Sequence, residues 1–423
     1  MAAKGIREEL PFGYRRRFFP EKLSFAIFVI PVRHQGKKTP HPIHMKIGIV
    51  CYPTYGGSGV VATELGKALA QKGHQVHFIS YRAPARLDSF VENVFYHEVS
   101  FADYPLFERA PYETALSSKI VDVAKFEQLD LLHVHYAIPH AATAYMAKQI
   151  LKTHGIHLPY ITTLHGTDIT LVGKDATYAP VVTFSVNQSD GVTAVSQSLK
   201  DETYQNFPIT REIEVIPNFV DMNRFRKAKK EHFKIAIAPA GEKILIHTSN
   251  FRKVKRTEDV VKVFKKVHDE IPAKLLLVGD GPERQNMEQL CRDLNLMDDV
   301  RFLGKLDPVE ELLAVSDLFL MPSETESFGL AALEAMACHV PVISTNTGGI
   351  PEIVVNGQTG FMSNVGDIDS MAGNALMLLT NDDMLNQFKN QAAGHARQFD
   401  LIKVLPKYEA YYEKVLQQGL VDA

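Results

Sequence analysis

The sequence predicts an α/β protein built from two doubly wound domains in tandem, facing each other across a cleft. Three observations predict it. At 423 residues the chain exceeds what one ordinary core organises. From Met45 onward, short β-rich runs alternate with helical stretches, the pattern of repeated βαβ units. Those runs are largely apolar on both faces, as the strands of a parallel sheet covered on both sides must be.

The first series places strands at 46–51, 75–80, 131–135, 160–164, 191–194 and 214–216, with helices at 60–71, 114–127, 140–152 and 181–188. Residues 45–217 therefore form the first domain. From 218 to 240 the composition becomes that of a linker: Asn218-Phe219-Val220-Asp221, a basic stretch (Arg224, Arg226, Lys227, Lys229, Lys230), then Ala238-Pro239-Ala240-Gly241. The second domain, 241–400, has strands at 243–248, 274–278, 317–321 and 342–344, with helices at 257–270, 283–294 and 330–338. From Met371 the chain reads as helices to its end, and 401–423 is a terminal helix able to pack back on the first domain.

Residues 1–44 read differently. Arg15-Arg16-Arg17 precedes a short apolar run from Leu23 to Val32, well under the roughly 20 residues that span a bilayer. No small-residue cleavage site follows. The expectation is an upstream or non-native extension, with a membrane anchor as the alternative.

Composition narrows the function. Hydrophobic content of 45% and charged content of 22% are those of a soluble globular protein. A net charge of -3 gives no basic surplus for nucleic acid. Cys51, Cys291 and Cys338 are scattered and lack CxxC spacing, which argues against a disulfide framework or zinc site and suits a reducing cytoplasm. Oligomeric state is open, a homo-oligomer included.

The strongest local signal is the stretch from Pro322 to Ala337, where a strand runs into a turn and a helix begins near Phe328. Glu326 and Glu334 are eight positions apart, about 12 Å at helical rise, comparable to the span from sugar to ribose in a nucleotide diphosphate sugar. Each carboxylate can accept hydrogen bonds from a pair of hydroxyls, and the helix start between them offers N–H groups to a diphosphate. A charged turn followed by an ordinary helical Glu is the bland alternative.

A second signal is Ser249-Asn250-Phe251-Arg252-Lys253-Val254-Lys255-Arg256, between a strand end and a helix start. Arg252 supplies a bidentate fork and Lys255 a mobile point charge. Cations there stabilise a departing diphosphate more than a bound one. A third is Tyr55-Gly56-Gly57-Ser58-Gly59, whose bare backbone admits an anion. Gly57-x-Gly59-x-x-Ala62 also fits a dinucleotide fingerprint, yet Ser80-Tyr81-Arg82 stands where that fingerprint wants an acid. An NADP oxidoreductase is therefore a rival reading.

His165, in Leu164-His165-Gly166-Thr167-Asp168, ends a strand at the cleft and could hydrogen-bond a sugar hydroxyl. His133-x-His135 lacks an obvious third ligand and Asp367-x-Asp369 reads as a helix cap, so no metal is expected. The backbone at Phe302-Leu303-Gly304-Lys305 could read a base edge.

With those residues in view, 45–423 resembles the family-four retaining glycosyltransferases of the GT-B architecture, two Rossmann-like domains. The resemblance rests on Gly56-Gly57-Ser58-Gly59, His165-Gly166-Thr167, Val215-Ile216-Pro217-Asn218, Val278-Gly279-Asp280-Gly281-Pro282 and Glu326-x7-Glu334 with Phe328-Gly329, in that order. It implies a UDP-sugar as substrate rather than cofactor, held mainly by the second domain. Glu334 would hold the ribose; Glu326, with the backbone at Phe328 and Gly329, the donor sugar; Arg252 and Lys255 the diphosphate. Leu330, Lys305 and Asn250 would complete the donor site, with His165 beside the sugar. Gly56, Gly57 and Ser58 would face donor phosphate and acceptor. In much of the family an Arg stands five residues before the phosphate Lys; Asn250 occupies that place here, so Arg252 is the substitute.

Tyr52-Pro53-Thr54-Tyr55-Gly56-Gly57-Ser58-Gly59 and Leu132-His133-Val134-His135-Tyr136-Ala137-Ile138-Pro139-His140 resemble the branch of the family that moves N-acetylglucosamine from UDP-N-acetylglucosamine to L-malate in bacillithiol synthesis. Arg82, Arg109 and Lys174 are the candidates for the malate carboxylates. A lipid or polysaccharide acceptor, or a UDP-sugar epimerase needing no acceptor, are the alternatives.

Overall fold

The computed structural model describes residues 44–421 except 88–89, 102–109 and 229. The expectations for 1–43 and for Arg109 lie outside the described residues. The first lobe contains β1 (Lys46–Val50), α1 (Gly57–Gln71), β2 (Gln75–Ser80), β3 (Val94–Glu98), α2 (Tyr112–Glu127), β4 (Leu131–His135), α3 (Ala142–Thr153), β5 (Tyr160–Leu164), α4 (Ala179–Gln188), β6 (Gly191–Ala194), α5 (Gln197–Asn206) and β7 (Ile213–Val215). A short helix α6 (Glu231–Ile237) follows, inside the stretch whose composition suggests a plain linker. The second lobe contains β8 (Lys243–Ser249), α7 (Thr257–His268), β9 (Ala273–Gly279), α8 (Arg284–Asp293), β10 (Val300–Gly304), α9 (Glu310–Leu313), β11 (Leu318–Met321), α10 (Leu330–Ala337), β12 (Val342–Thr345), β13 (Gly360–Ser363), α11 (Ile368–Leu379), α12 (Asp382–Ala396) and α13 (Leu401–Val421).

The two sheets repeat one topology. The first runs β3-β2-β1-β4-β5-β6-β7 and the second β10-β9-β8-β11-β12-β13. All pairs within them are parallel. The order reverses between β1 and β4, and again between β8 and β11, so each sheet opens a crevice at the carboxyl ends of those strands. Such crossovers cover both faces, which is why β4, β5 and β6 are buried at every position.

Three strands absent from the sequence expectation, β3, β10 and β13, are all sheet edges. An edge has only one neighbour and less cover; β3 has no fully buried residue, and its Val94-Phe95-Tyr96 run gives way at once to His97 and Glu98. Helix α5 was equally hidden, because only Leu199 and Thr203 of its ten residues are buried. Its start is set by Ser196, whose Oγ accepts from Leu199 N at 3.0 Å.

Helix α13 leaves the second lobe and lies against the first. Val404, Leu405, Tyr408, Tyr412 and Val415 share one buried cluster with Ile47, Ile49, Leu65 and Leu69. The Tyr411 hydroxyl accepts from Val192 N at 2.9 Å, fastening the helix to β6. Among the described residues no helix is long and apolar enough to cross a membrane.

Candidate active site

The crevice between the lobes is built from two helix starts. After β1 the chain turns through Gly56 and enters α1 at Gly57. Gly59 is imposed by that turn, since a Cβ there would meet the carbonyl oxygens of Thr54 and Tyr52 at 2.4 and 2.5 Å. Across the crevice β11 leads to α10, which starts at Leu330 as the helical pattern of 330–338 suggests. Gly329 takes the capping position with φ +92°, open to glycine and costly to others. A Cβ on Gly57 would stand 3.7 Å from Leu330 Cδ2, so the two N-termini touch across the gap. Each presents unbonded N–H groups and the positive end of a helix dipole. Together they form an anion cradle.

The two acids flank this cradle. Glu326 lies in the turn before α10, where its Oε1 accepts from Lys255 Nζ at 2.5 Å and from Ser323 Oγ at 2.9 Å. Lys255 ends a single tight turn (Lys253–Lys255) following β8. Glu334 lies within α10 and faces Arg86 of the first lobe at 3.5 Å, both side chains being nearly covered. Burial pushes the Glu334 carboxyl up, while Arg86 and Arg224 pull against that rise. Arg224 in turn donates to Glu310 at 2.8 Å and to Asp307. Arg86 and Arg224 carry no motif; the basic stretch containing Arg224 was the one available signal, and nothing marked Arg86.

The remaining candidates fall in different places. Arg252, Asn250 and Lys305 are exposed at the ends of β8 and β10, so the structure brings Lys255, rather than Arg252, to the acid. Phe328 is 3% exposed and packs on Phe399, leaving its backbone rather than its ring at the crevice. Gly56 and Gly57 are exposed, and Ser58 Oγ accepts from the Tyr136 hydroxyl at 2.8 Å. His165 follows β5 and lies beside His135, Nε2 to Nδ1 at 2.8 Å. Arg82 is exposed after β2. Lys174 is held by Glu202 at 2.8 Å, beside an open interlobe groove reached by Thr325 and Gly348.

The lobes are also latched away from the acids. Ser196 Oγ donates to Ser327 O at 2.6 Å, and Glu352 accepts from Gln197 N and Ser198 N at 2.9 and 2.8 Å. A carboxylate of the second lobe thus caps a helix of the first. Asp168, buried below the crevice, accepts from Ala137 N and Gly166 N at 2.8 and 3.1 Å. Burial still pushes its carboxyl up to about 6.

Two doubly wound lobes with opposed helix starts, two acids and a lysine between them define a GT-B glycosyltransferase. Residues 55–224 match the model of glycosyltransferase family 4, and 228–395 that of glycosyl transferases group 1. The chain belongs to the family-four glycosyltransferases. It is 48% identical over 375 residues to N-acetyl-α-D-glucosaminyl L-malate synthase of Bacillus anthracis, covering 88% of this chain and 98% of that protein. Among solved structures, Anabaena HepE in complex with UDP and glucose superposes with a TM-score of 0.75 at 21% identity, covering 88% of this chain and all of that one. The lipopolysaccharide glycosyltransferase WaaG superposes at 0.69 with 15% identity, covering 86% and 99%. These last two likenesses concern the fold.

Proposed function

We propose that this enzyme transfers N-acetylglucosamine from UDP-N-acetylglucosamine to the hydroxyl of L-malate with retention of configuration, as a cytoplasmic step of bacillithiol synthesis. The observation that carries the reading is the pair of helix starts meeting at Gly57 and Leu330 with Glu326 and Glu334 on either side. A diphosphate fits the cradle, a sugar the Glu326 side and a ribose the Glu334 side. The likeness to the L-malate synthase supports the choice of donor and acceptor. The three cysteines, all buried free thiols, are compatible with a reducing compartment.

In this mechanism the bond between the sugar's anomeric carbon and the phosphate oxygen breaks first, and UDP leaves with the electron pair. Lys255 and the two helix starts take up the charge that grows on the phosphate. The malate hydroxyl attacks from the face that UDP is leaving, and its proton passes to the phosphate oxygen. No side chain supplies a covalent intermediate. Glu326 orients the sugar's hydroxyls, and Glu334 anchors the ribose. Arg82 and Arg109 remain the proposed partners of the malate carboxylates; Lys174 serves only by releasing Glu202.

Incubating the protein with UDP-N-acetylglucosamine and a panel of small hydroxy acids tests the reading. Release of UDP with an α-linked malate glycoside is expected. Transfer to another acid, or donor consumption without any acceptor, overturns it.

A further inference from the structure

Buried His133 and His135 of β4 and half-buried His165, just after β5, hold a relationship that donor binding alone does not require. His133 is satisfied at both nitrogens, Nδ1 with the Tyr412 hydroxyl and Nε2 with Thr163 Oγ1, each at 2.7 Å. Its ring lies over that of His135, with centres 4.4 Å apart. His135 and His165 meet differently. Nδ1 of His135 is 2.8 Å from Nε2 of His165, and the ring centres are 5.0 Å apart with planes inclined by 25°. That is the geometry of two rings edge to edge along one N–H···N bond.

A neutral imidazole has one N–H, so this bond has two possible directions. If His165 donates through Nε2, His135 carries its own proton on Nε2. That atom is buried with no partner, and a donor would be stranded there. If His135 donates through Nδ1 instead, its Nε2 is a bare lone pair and the proton of His165 sits on Nδ1. Stranded buried donors are rarer and costlier than under-used acceptors, which selects the second direction. The alternative of a charged ring fails, because burial drives His165 down to about 3 and His135 well below its ordinary value.

The ring edge that remains is Nδ1 of His165, a half-buried residue whose chain neighbour borders the crevice. A Cβ on the neighbouring Gly166 would fall 1.5 Å from Ser327 Oγ, in the turn that carries Glu326. The strand end is held in place by His140, whose Nδ1 donates to His135 O at 2.5 Å and whose Nε2 meets the Tyr112 hydroxyl at 3.2 Å.

We propose that His135 is a positioning residue that fixes the tautomer of His165, so that His165 offers Nδ1–H as a neutral hydrogen-bond donor to a hydroxyl oxygen of the donor sugar. The sugar part rests on the function proposed above; the tautomer does not. A neutral donor suits the place, since a cation beside an anomeric carbon gaining positive charge would raise the barrier. An acceptor nitrogen there would leave the hydroxyl oxygen without a donor.

Nitrogen-15 NMR of histidine-labelled protein without substrate reads the tautomer directly. The wild type is expected to show His165 protonated at Nδ1. In His135→Asp, whose carboxylate can only accept, the proton should be drawn to Nε2, with kcat falling about tenfold, the worth of one hydrogen bond, and donor KM changing less. His135→Asn, whose amide N–H can replace the imidazole donor, should restore the Nδ1 form and most of the rate. A wild-type His165 protonated at Nε2 overturns the proposal, as does an unchanged tautomer in His135→Asp; if that variant does not fold, the wild-type spectrum decides. A wrong donor or acceptor assignment would appear instead as a wild type that forms no glycoside, with the tautomer unaffected.

Discussion

Lys255 Nζ and Glu326 Oε1 stand 2.5 Å apart, joining the loop after β8 to the turn after β11. In the free protein each neutralises the other. With a sugar nucleotide bound, the lysine has a phosphate to meet and the acid a pair of sugar hydroxyls, so the donor separates a pair that is already oriented. Preorganised charge of this kind needs little rearrangement at the transition state.

Glu326→Ala should therefore abolish transfer to the extent of 10²–10³-fold or more in kcat, with thermal stability close to wild type because Glu326 lies in a turn. Lys255→Ala should lower kcat comparably and also weaken UDP binding, since it removes charge from the phosphate. Steady-state kinetics with a melting curve for each variant checks both. An active, folded Glu326→Ala protein would remove the acid from the reaction.

On the ribose side the pairing crosses the lobes. Arg86 faces Glu334 at 3.5 Å, and burial raises the Glu334 carboxyl while Arg86 resists the rise. Ribose hydroxyls need an ionised acceptor. Arg86→Met leaves the acid buried with less opposing charge, so its pKa climbs further. UDP affinity of the variant should then weaken as pH falls from 7 to 5, where the wild type changes less. Calorimetric titrations at the two pH values measure this, and equal pH dependence in both proteins would separate Arg86 from Glu334.

Much of this was legible in the sequence because the family's chemistry sits at strand ends, where short apolar runs stop and glycines or charges begin. Glu326, Lys255 and the Gly56–Gly57–Ser58 turn lie at such boundaries, and Glu334 stands one helical turn further on, within α10. What stayed hidden follows from distance along the chain. Arg86 meets Glu334 only because the two lobes face each other, and neither neighbourhood hints at the other. His135 looked like half of a two-histidine metal motif, whereas the fold sets it against His165 from another strand. Arg252 has the better local pattern for a phosphate, yet it is exposed, and Lys255 reaches the acid.

Glu352 holds the lobes together through charge-assisted bonds from Gln197 N and Ser198 N at the start of α5. Bonds of this type contribute about 1.5 kcal/mol or more. Glu352→Ala should shift the free protein toward open arrangements and raise the donor KM by roughly tenfold. The effect on kcat should be smaller, because once closed the site is unchanged. Small-angle scattering with and without UDP, alongside kinetics, tests this. A variant as compact as wild type, with the same KM, would show that the capping contact does not control closure.

Acid should unfold this protein steeply, and the sign follows from its histidines. His133 and His165 are held down to about 3 and His140 and His247 to about 4, with His135 also well below the ordinary value, all by burial. In the unfolded chain each regains a pKa near 6.5. Below that pH the unfolded state takes up protons that the fold refuses, so each of these five rings removes about 1.4 kcal/mol of stability per pH unit until its folded value is reached. Three carboxyls oppose them. Asp168, Glu334 and Asp400 are raised in the fold and gain stability as pH falls, Asp168 from about pH 6 downward. The histidines therefore act almost alone just below pH 6.5 and outnumber the carboxyls further down. Urea midpoints should stay nearly level from pH 7.5 to about 7 and fall steadily from there to pH 5, and His140→Phe should flatten that slope by about one proton. A midpoint that holds level between pH 6.5 and 5 would mean that these rings accept protons inside the fold.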